Sequence, residues 1–164
     1  MLVALAAVPA AFGRHGTTRQ TSLQALDTGV LVQLNAIRTA HGLVPLKLNA
    51  ALTTAAEGHS VQMLADGYFA HESADGAPFW KRLAVYSGSS HGSWSVGENL
   101  LWSSPDVGAV HALRLWMASP EHRHNILTAG WRDIGIAAIH ADSAPGTYGG
   151  RAVTVITTDF GTRG

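Results

Sequence analysis

Apolar residues recur every three or four positions in the first two thirds of the chain, which is the period of an amphipathic helix. Residues 23–41 carry this pattern and predict a first helix. A second helix is predicted to begin after Asn49, a favourable N-cap, and to end at Gly67, which tolerates the left-handed conformation. A short third helix is expected from Pro78 and a fourth over residues 105–118.

Strand patterns dominate the last third of the chain. Residues 133–140 and 152–160 are apolar runs separated by the turn-rich sequence DSAPGTYGG, which favours an antiparallel pair. Residues 96–102 predict an earlier strand. Because helices precede strands, we predict an α+β fold in which helices flank a small antiparallel sheet. The predicted organisation is a leader and linker over residues 1–22, followed by one domain over residues 23–164.

Composition excludes some classes of partner and some kinds of active or metal site. A chain of 164 residues can bury a real core, and its formal net charge of zero argues against a nucleic-acid partner. The sequence has no cysteine. Thiolate zinc sites, cysteine nucleophiles and disulfides are therefore excluded. We expect a monomer.

The first twelve residues, MLVALAAVPAAF, are apolar and too short to span a bilayer. They end in small residues, as the hydrophobic part of a secretory signal peptide does before its cleavage site. We therefore expect export, to the periplasm or the exterior. A short buried N-terminal helix is the alternative. No other segment is long and apolar enough for a transmembrane anchor.

Four segments, taken in order, carry the motifs of one known family. They are residues 35–46 (NAIRTAHGLVPL), 68–73 (YFAHES), 96–100 (VGENL) and 116–127 (WMASPEHRHNIL). With these motifs, residues 27–161 resemble the bacterial branch of the CAP superfamily, also called SCP-like or pathogenesis-related-1-like proteins.

The resemblance implies a three-layer α-β-α sandwich and a cleft lined by two histidines and two acidic residues. His71 matches the first histidine, Glu98 the glutamate of the Gly-Glu-Asn motif, and His122 the second histidine. Ser119 stands where the second acidic residue is expected, and Glu121 is a nearby substitute. The implied set is therefore incomplete.

These residue types suggest a metal site or a hydrogen-bonded network. Two neutral imidazoles and a carboxylate can hold one zinc ion and leave a position open for water. In this interpretation His71 and His122 are metal ligands, and Glu98 is a further ligand or a general base. Zinc, or another divalent metal, is expected to bind weakly, because Ser119 is a poor ligand. The alternative is a metal-free network that orients the cleft walls.

Other polar residues near the motifs have simpler interpretations. His59 lies within an apolar helical pattern and is expected in the core, whereas His124 is expected at the cleft rim. Arg123 and Asn125 are expected to fix a loop after the fourth helix by bonding to backbone carbonyls. Residues 88–92 (GSSHG) match the G-x-S-x-G pattern of hydrolase nucleophiles, but a poor helix start follows, so a loop is expected.

Two classes of function remain open, beside a third possibility of a stable extracellular domain whose partner-binding surface lies elsewhere. The first is a secreted binding module for a small apolar, lipid or cell-envelope ligand, which fits the incomplete set and the absence of an evident nucleophile. The second is a zinc-dependent hydrolase, in which His71 and His122 hold the metal and Glu98 activates water. We favour the binding module over an enzyme.

Overall fold

The structure is a computed structural model that describes residues 19–88 and 92–164. Within these residues the chain forms five strands and five α-helices. The strands are β1 (Gln20–Ser22), β2 (Lys47–Leu48), β3 (Trp94–Ser103), β4 (Asp133–Ala144) and β5 (Arg151–Arg163). The helices are α1 (Gln24–Ala40), α2 (Ala50–Asp66), α3 (Phe79–Arg82), α4 (Ala109–Ala118) and α5 (Pro120–Leu127). Two 3-10 helices, Leu83–Tyr86 and Gly146–Tyr148, complete the elements.

The sheet has the order β1-β4-β5-β3, with antiparallel neighbours along this path. The long β4–β5 pair confirms the predicted hairpin. Strand β2 adds a short parallel pairing to β4, through Lys47 and Asp133. Strands β1 and β2 were not predicted, because two or three residues are too few to show an alternating pattern.

Helices cover both faces of the sheet. On β4, Ile134 and Ile136 pack in the core beneath α1, α4 and α5. Ile139 and Ala141 belong to the core on the α2 side, as the two-residue period of a strand requires. This arrangement confirms the α+β fold with three layers. Side chains on β3 and β5 therefore face either α2 or the layer of α1, α4 and α5.

The helix termini follow local sequence signals, with two corrections. Asn49 caps α2 by accepting from Ala51 N and Leu52 N, as predicted. The fourth helix begins at Ala109 instead of residue 105. Residues predicted as a loop after it form α5, which begins at Pro120. The signal for α5 was present, because proline is favoured in the first turn of a helix.

Two predictions fall on residues outside the described ranges. The leader lies within residues 1–18, and the central serine of the G-x-S-x-G pattern lies within residues 89–91. Both stay predictions. Among the described residues, no helix has the length and apolar character needed to cross a membrane.

Candidate functional site: a cleft beside strand β3

An open cavity of about 420 Å³ lies beside β3. The segment between α2 and α3, strand β3 and helix α5 each contribute to its wall. The lining residues are His71, Glu72, Phe79, Val96, Gly97, Glu98 and Asn125. Two of the three residues carried over from the CAP resemblance, His71 and Glu98, thus line one cavity.

Glu98 occupies the floor of this cleft with a fully buried side chain. Its Oε1 atom lies 2.7 Å from Nδ1 of His71, and its Oε2 atom accepts a 2.6 Å bond from Nη2 of Arg82. The same guanidinium donates through Nη1 to His71 O and Ser73 Oγ. Both carboxylate oxygens of Glu98 are therefore already bonded. This arrangement fits an orienting group better than the general base or further metal ligand for which the sequence made Glu98 a candidate.

His71 presents its other ring edge to the cleft. The hydrogen bond to Glu98 raises the pKa of His71, against the opposing effect of burial. Its side chain is 48% exposed. In the neutral form, Nδ1–H donates to Glu98, and the lone pair of Nε2 has no partner among the described residues. An imidazole oriented in this way by a carboxylate is suited to bind a metal or a proton donor.

His122 is oriented by a comparable relay on α5. Its Nδ1 atom lies 2.8 Å from Ser119 Oγ, which itself donates to Glu121 Oε2 at 3.2 Å. Ser119 and Glu121 thus support His122, whose Nε2 atom bonds to none of residues 19–88 and 92–164. Burial lowers the pKa of His122, and the nearby charge of His71 lowers it further. The two histidines therefore have opposite pKa shifts.

A set of amide hydrogen bonds ties α5 to β3. Asn99 Nδ2 donates to His122 O at 3.0 Å. Asn125 Nδ2 donates to Glu98 O at 3.0 Å and to Asn99 Oδ1 at 2.9 Å. From the preceding helix α4, the indole Nε1 of Trp116 donates to Leu100 O at 3.0 Å. These bonds place His122 at the outer edge of β3.

The predicted role in fixing this segment applies to Asn125 and not to Arg123. The Arg123 side chain is exposed and makes no hydrogen bond within the described part of the chain. Arg123 instead lines a separate groove with His124, Met117 and Leu127. His124 diverges from the cleft because residues two apart on a helix point in different directions.

His59 lies in the core, as expected. Its Nε2 atom lies 2.9 Å from Ala70 O, and burial lowers its pKa. His59 is therefore a neutral residue beneath the cleft and not part of its surface.

The metal site expected from the sequence stays a prediction. Over residues 19–88 and 92–164, no group of three or more His, Asp or Glu side chains is arranged to hold a metal ion. Because Glu98 is bonded to His71 and Arg82, the atoms that could ligate a metal are Nε2 of His71 and Nε2 of His122. Two imidazoles are fewer protein ligands than zinc sites usually have, so water or a ligand would complete the coordination.

Sequence reasoning missed Arg82 and Asp159. A fully buried glutamate needs a cationic or hydrogen-bonded partner. This requirement could have directed attention to Arg82, which lies in the short helix α3. Asp159 is a charged residue type within a run of buried β5 residues and lies opposite Glu98. That position was visible in the sequence as an acidic residue in an apolar strand.

The comparison with known families agrees with this architecture. The model of the CAP family, described as the cysteine-rich secretory protein family, matches residues 31–157. The chain belongs to this family. This CAP domain has no cysteine, so the family name does not describe its composition. The uncharacterized protein YkwD of Bacillus subtilis (strain 168) is 30% identical over 128 residues, covering 77% of this chain and 48% of YkwD. The chain thus spans about half the length of this relative.

Solved structures also share the fold of the CAP domain. An extracellular protein containing an SCP domain from Bacillus anthracis str. Ames aligns with a TM-score of 0.63 at 25% identity, over 84% of this chain and 40% of that chain. An outer surface protein from Borrelia burgdorferi aligns with a TM-score of 0.70 at 16% identity. That alignment covers 90% of this chain and 100% of the Borrelia chain, and it shows the fold alone.

Proposed function

We propose that this CAP domain is an extracellular binding module whose cleft takes its ligand at the imidazole edges of His71 and His122. The observation that carries the proposal is the state of Glu98. Its carboxylate is buried and bonded at both oxygens, so the strongest candidate for a general base is occupied. A cleft with one oriented imidazole in its wall, at His71, and a second beside it, at His122, is suited to binding.

The lining of the cleft favours an amphiphilic ligand. Phe79 and Val96 supply apolar wall, and the free Nε2 atom of His71 supplies a polar contact. A small apolar, lipid or cell-envelope molecule with a hydrogen-bonding or metal-binding group matches these surfaces. A divalent metal held by His71 and His122 is one way to bind such a group, and it would act there as a Lewis acid.

An extracellular location is part of the same proposal. It is supported by the apolar leader pattern of residues 1–12 and by the descriptions of two structural neighbours as extracellular or outer surface proteins. The zinc-hydrolase alternative has less support, because the Glu98 carboxylate that would activate a metal-bound water is already bonded to His71 and Arg82.

Calorimetric titration with zinc tests the metal part of the proposal. We expect weak binding to wild type at neutral pH, loss of binding in the double variant His71→Ala/His122→Ala, and weaker wild-type binding at mildly acidic pH, where imidazoles protonate. The matched control is His111→Ala/His124→Ala, which removes two exposed histidines outside the cleft. Equal binding by both double variants would contradict the metal site.

Cosedimentation tests the binding module itself. Purified protein is mixed with phosphatidylglycerol vesicles and, separately, with purified peptidoglycan. We expect one of the two to retain wild type and the control variant but not His71→Ala/His122→Ala. Retention that ignores the two cleft histidines, or no retention by either material, would count against the proposal.

A further inference from the structure

A buried carboxyl group lies directly beneath the cleft and is not explained by ligand binding. Asp159 is on β5, where its backbone pairs with Glu98 of β3 on one side and with Gly135 of β4 on the other. Directly opposite residues of an antiparallel pair project to the same face with Cβ atoms about 4.5–5.5 Å apart. The two carboxyl groups therefore lie side by side on the α2 face.

We propose that Asp159 is a neutral carboxylic acid at neutral pH and donates its proton in a hydrogen bond to Glu98. Asp159 is then a positioning residue that acts on His71 through Glu98. The assignment does not depend on which ligand the cleft binds, or on whether it binds a metal.

The surroundings of Asp159 favour the neutral form. Its side chain is fully buried, and within the described residues no N–H or hydroxyl group donates to either carboxyl oxygen. An ionised carboxylate in that position would lose its hydration without gaining a donor, which is strongly unfavourable. Burial, and then the negative charge of Glu98, raise the pKa of Asp159 well above its usual range.

The charges around the pair lead to the same assignment. The charged groups that act on Asp159 are Glu98 from β3 and Arg82 from α3. His71 bonds to Glu98, and His59 of α2 feels the charges of Glu98 and Arg82, so both histidines belong to the same cluster. His59 is neutral, since burial lowers its pKa, and Gly135 of β4 adds no charge. Arg82 is the one fixed cation among these described neighbours, and its charge is matched by Glu98. A second anion would be uncompensated.

Of the two carboxyl groups, Asp159 therefore carries the proton, and Glu98 accepts the hydrogen bond from it. Glu98 already has two donors, so it is the group whose ionised form is stabilised. A carboxylate offers about four lone-pair positions, so Glu98 accepts a third bond without losing the others. Three donors, from His71, Arg82 and Asp159, then fix the carboxylate that orients His71.

The pKa of His71, followed by NMR, tests the assignment in the intact protein. Asp159→Asn cannot ionise but still offers an N–H donor to Glu98. We expect the same His71 midpoint in wild type and in this variant. If Asp159 were ionised, the substitution would remove a negative charge near His71 and lower its pKa. A lower His71 midpoint in Asp159→Asn therefore overturns the proposal.

Stability as a function of pH provides a second test. A carboxyl whose pKa is raised on folding contributes stability at low pH that is lost as the pH rises through its window. The advantage of Asp159→Asn over wild type in urea unfolding should therefore be small near pH 4 and grow toward pH 7. A difference that does not change with pH would mean that Asp159 titrates as in the unfolded chain, and would refute a neutral Asp159.

Infrared spectroscopy of wild type keeps the proposal testable if the variant does not fold. A neutral acid gives a carboxylic C=O band at neutral pH, at a higher frequency than carboxylate bands and shifted slightly in heavy water. We expect this band in wild type, and its loss in Asp159→Asn where that variant folds. The absence of the band from wild type overturns the assignment.

Asp159→Ala, which has no donor, separates positioning from charge: it should alter the His71 titration, whereas Asp159→Asn restores the wild-type curve. Identical curves for the Ala and Asn variants would refute the positioning role.

Discussion

Arg82 Nη2 lies 2.6 Å from Oε2 of Glu98, on the carboxylate whose other oxygen holds His71. Arg82 and Glu98 come from α3 and β3, so the contact joins the segment that carries His71 to the sheet. The contact gives the fully buried carboxylate a cationic partner. His71 is therefore bonded to a carboxylate that is itself held in place, and this bond orients His71 and raises its pKa.

Replacing Glu98 with glutamine should lower the pKa of His71 toward its usual value, because the charged hydrogen-bond acceptor is lost. In wild type, the raised pKa contributes stability that is fully present below the unfolded-state pKa of about 6.5 and is lost as pH rises through the folded-state pKa. NMR titration of His71 measures the shift. Glu72→Gln is the matched control, since Glu72 is a weaker influence on the pKa of His71. An equal or larger shift in the control would contradict this account.

Arg38 should be a major determinant of stability. This buried α1 residue donates to Val44 O at 3.0 Å, to Ile126 O at 2.7 Å and to Thr128 O at 3.0 Å. Arg38→Met leaves these carbonyls without their donor and should cost about 3 kcal/mol or more. Urea unfolding measures the loss. Arg123→Met, at an exposed position, should change stability by less than about 0.5 kcal/mol. Similar losses in both variants would refute the structural role of Arg38.

Asp27 should limit stability at neutral pH. Burial raises its pKa to about 6, although Ala138 N donates to its Oδ1 atom at 2.6 Å. Stability from this group is present at low pH and is lost as pH rises from about 4 to about 6. Asp27→Asn should therefore stabilise the protein at pH 7 by about 1–2 kcal/mol after allowance for partial exposure, and by little at pH 4. Thermal unfolding at both pH values measures the gain. Asp106→Asn, at an exposed site, is the control and should change stability by less than about 0.5 kcal/mol at pH 7.

Gly135 should be irreplaceable by alanine. A Cβ atom at this position would overlap the backbone of Leu52 and Thr53, where α2 lies against β4. Gly135→Ala should cost about 3 kcal/mol or prevent folding, because helix backbone cannot move as a side chain can. Gly58→Ala is the matched control: its Cβ meets open space within α2, and it should stabilise the helix by about 0.5–1 kcal/mol. Circular dichroism during unfolding distinguishes the two, and a tolerated Gly135→Ala would contradict the close approach.

The accuracy of the sequence-based predictions varied with the range of the interactions involved. Helices α1 and α2 and the β4–β5 hairpin are governed by periodicity, caps and turns, which are local. The His71–Glu98 contact was found through family motifs, because no local pattern brings together residues 27 positions apart. Arg82 was missed because a short helix carries little periodic signal. The neutral Asp159 depends on which residue lies across the strand, and this is known only once the register of β3 and β5 is known.

The outer edge of β3 has a consequence for the protein in crowded solution. β3 is the last strand of the sheet, and such an edge normally exposes carbonyls that can pair with a strand of another molecule. Here Asn125 and Trp116 bond to two alternate carbonyls, those of Glu98 and Leu100. A foreign strand would have to displace both side chains before it could extend the sheet. The residues that position the cleft thus also protect the domain against edge-to-edge aggregation.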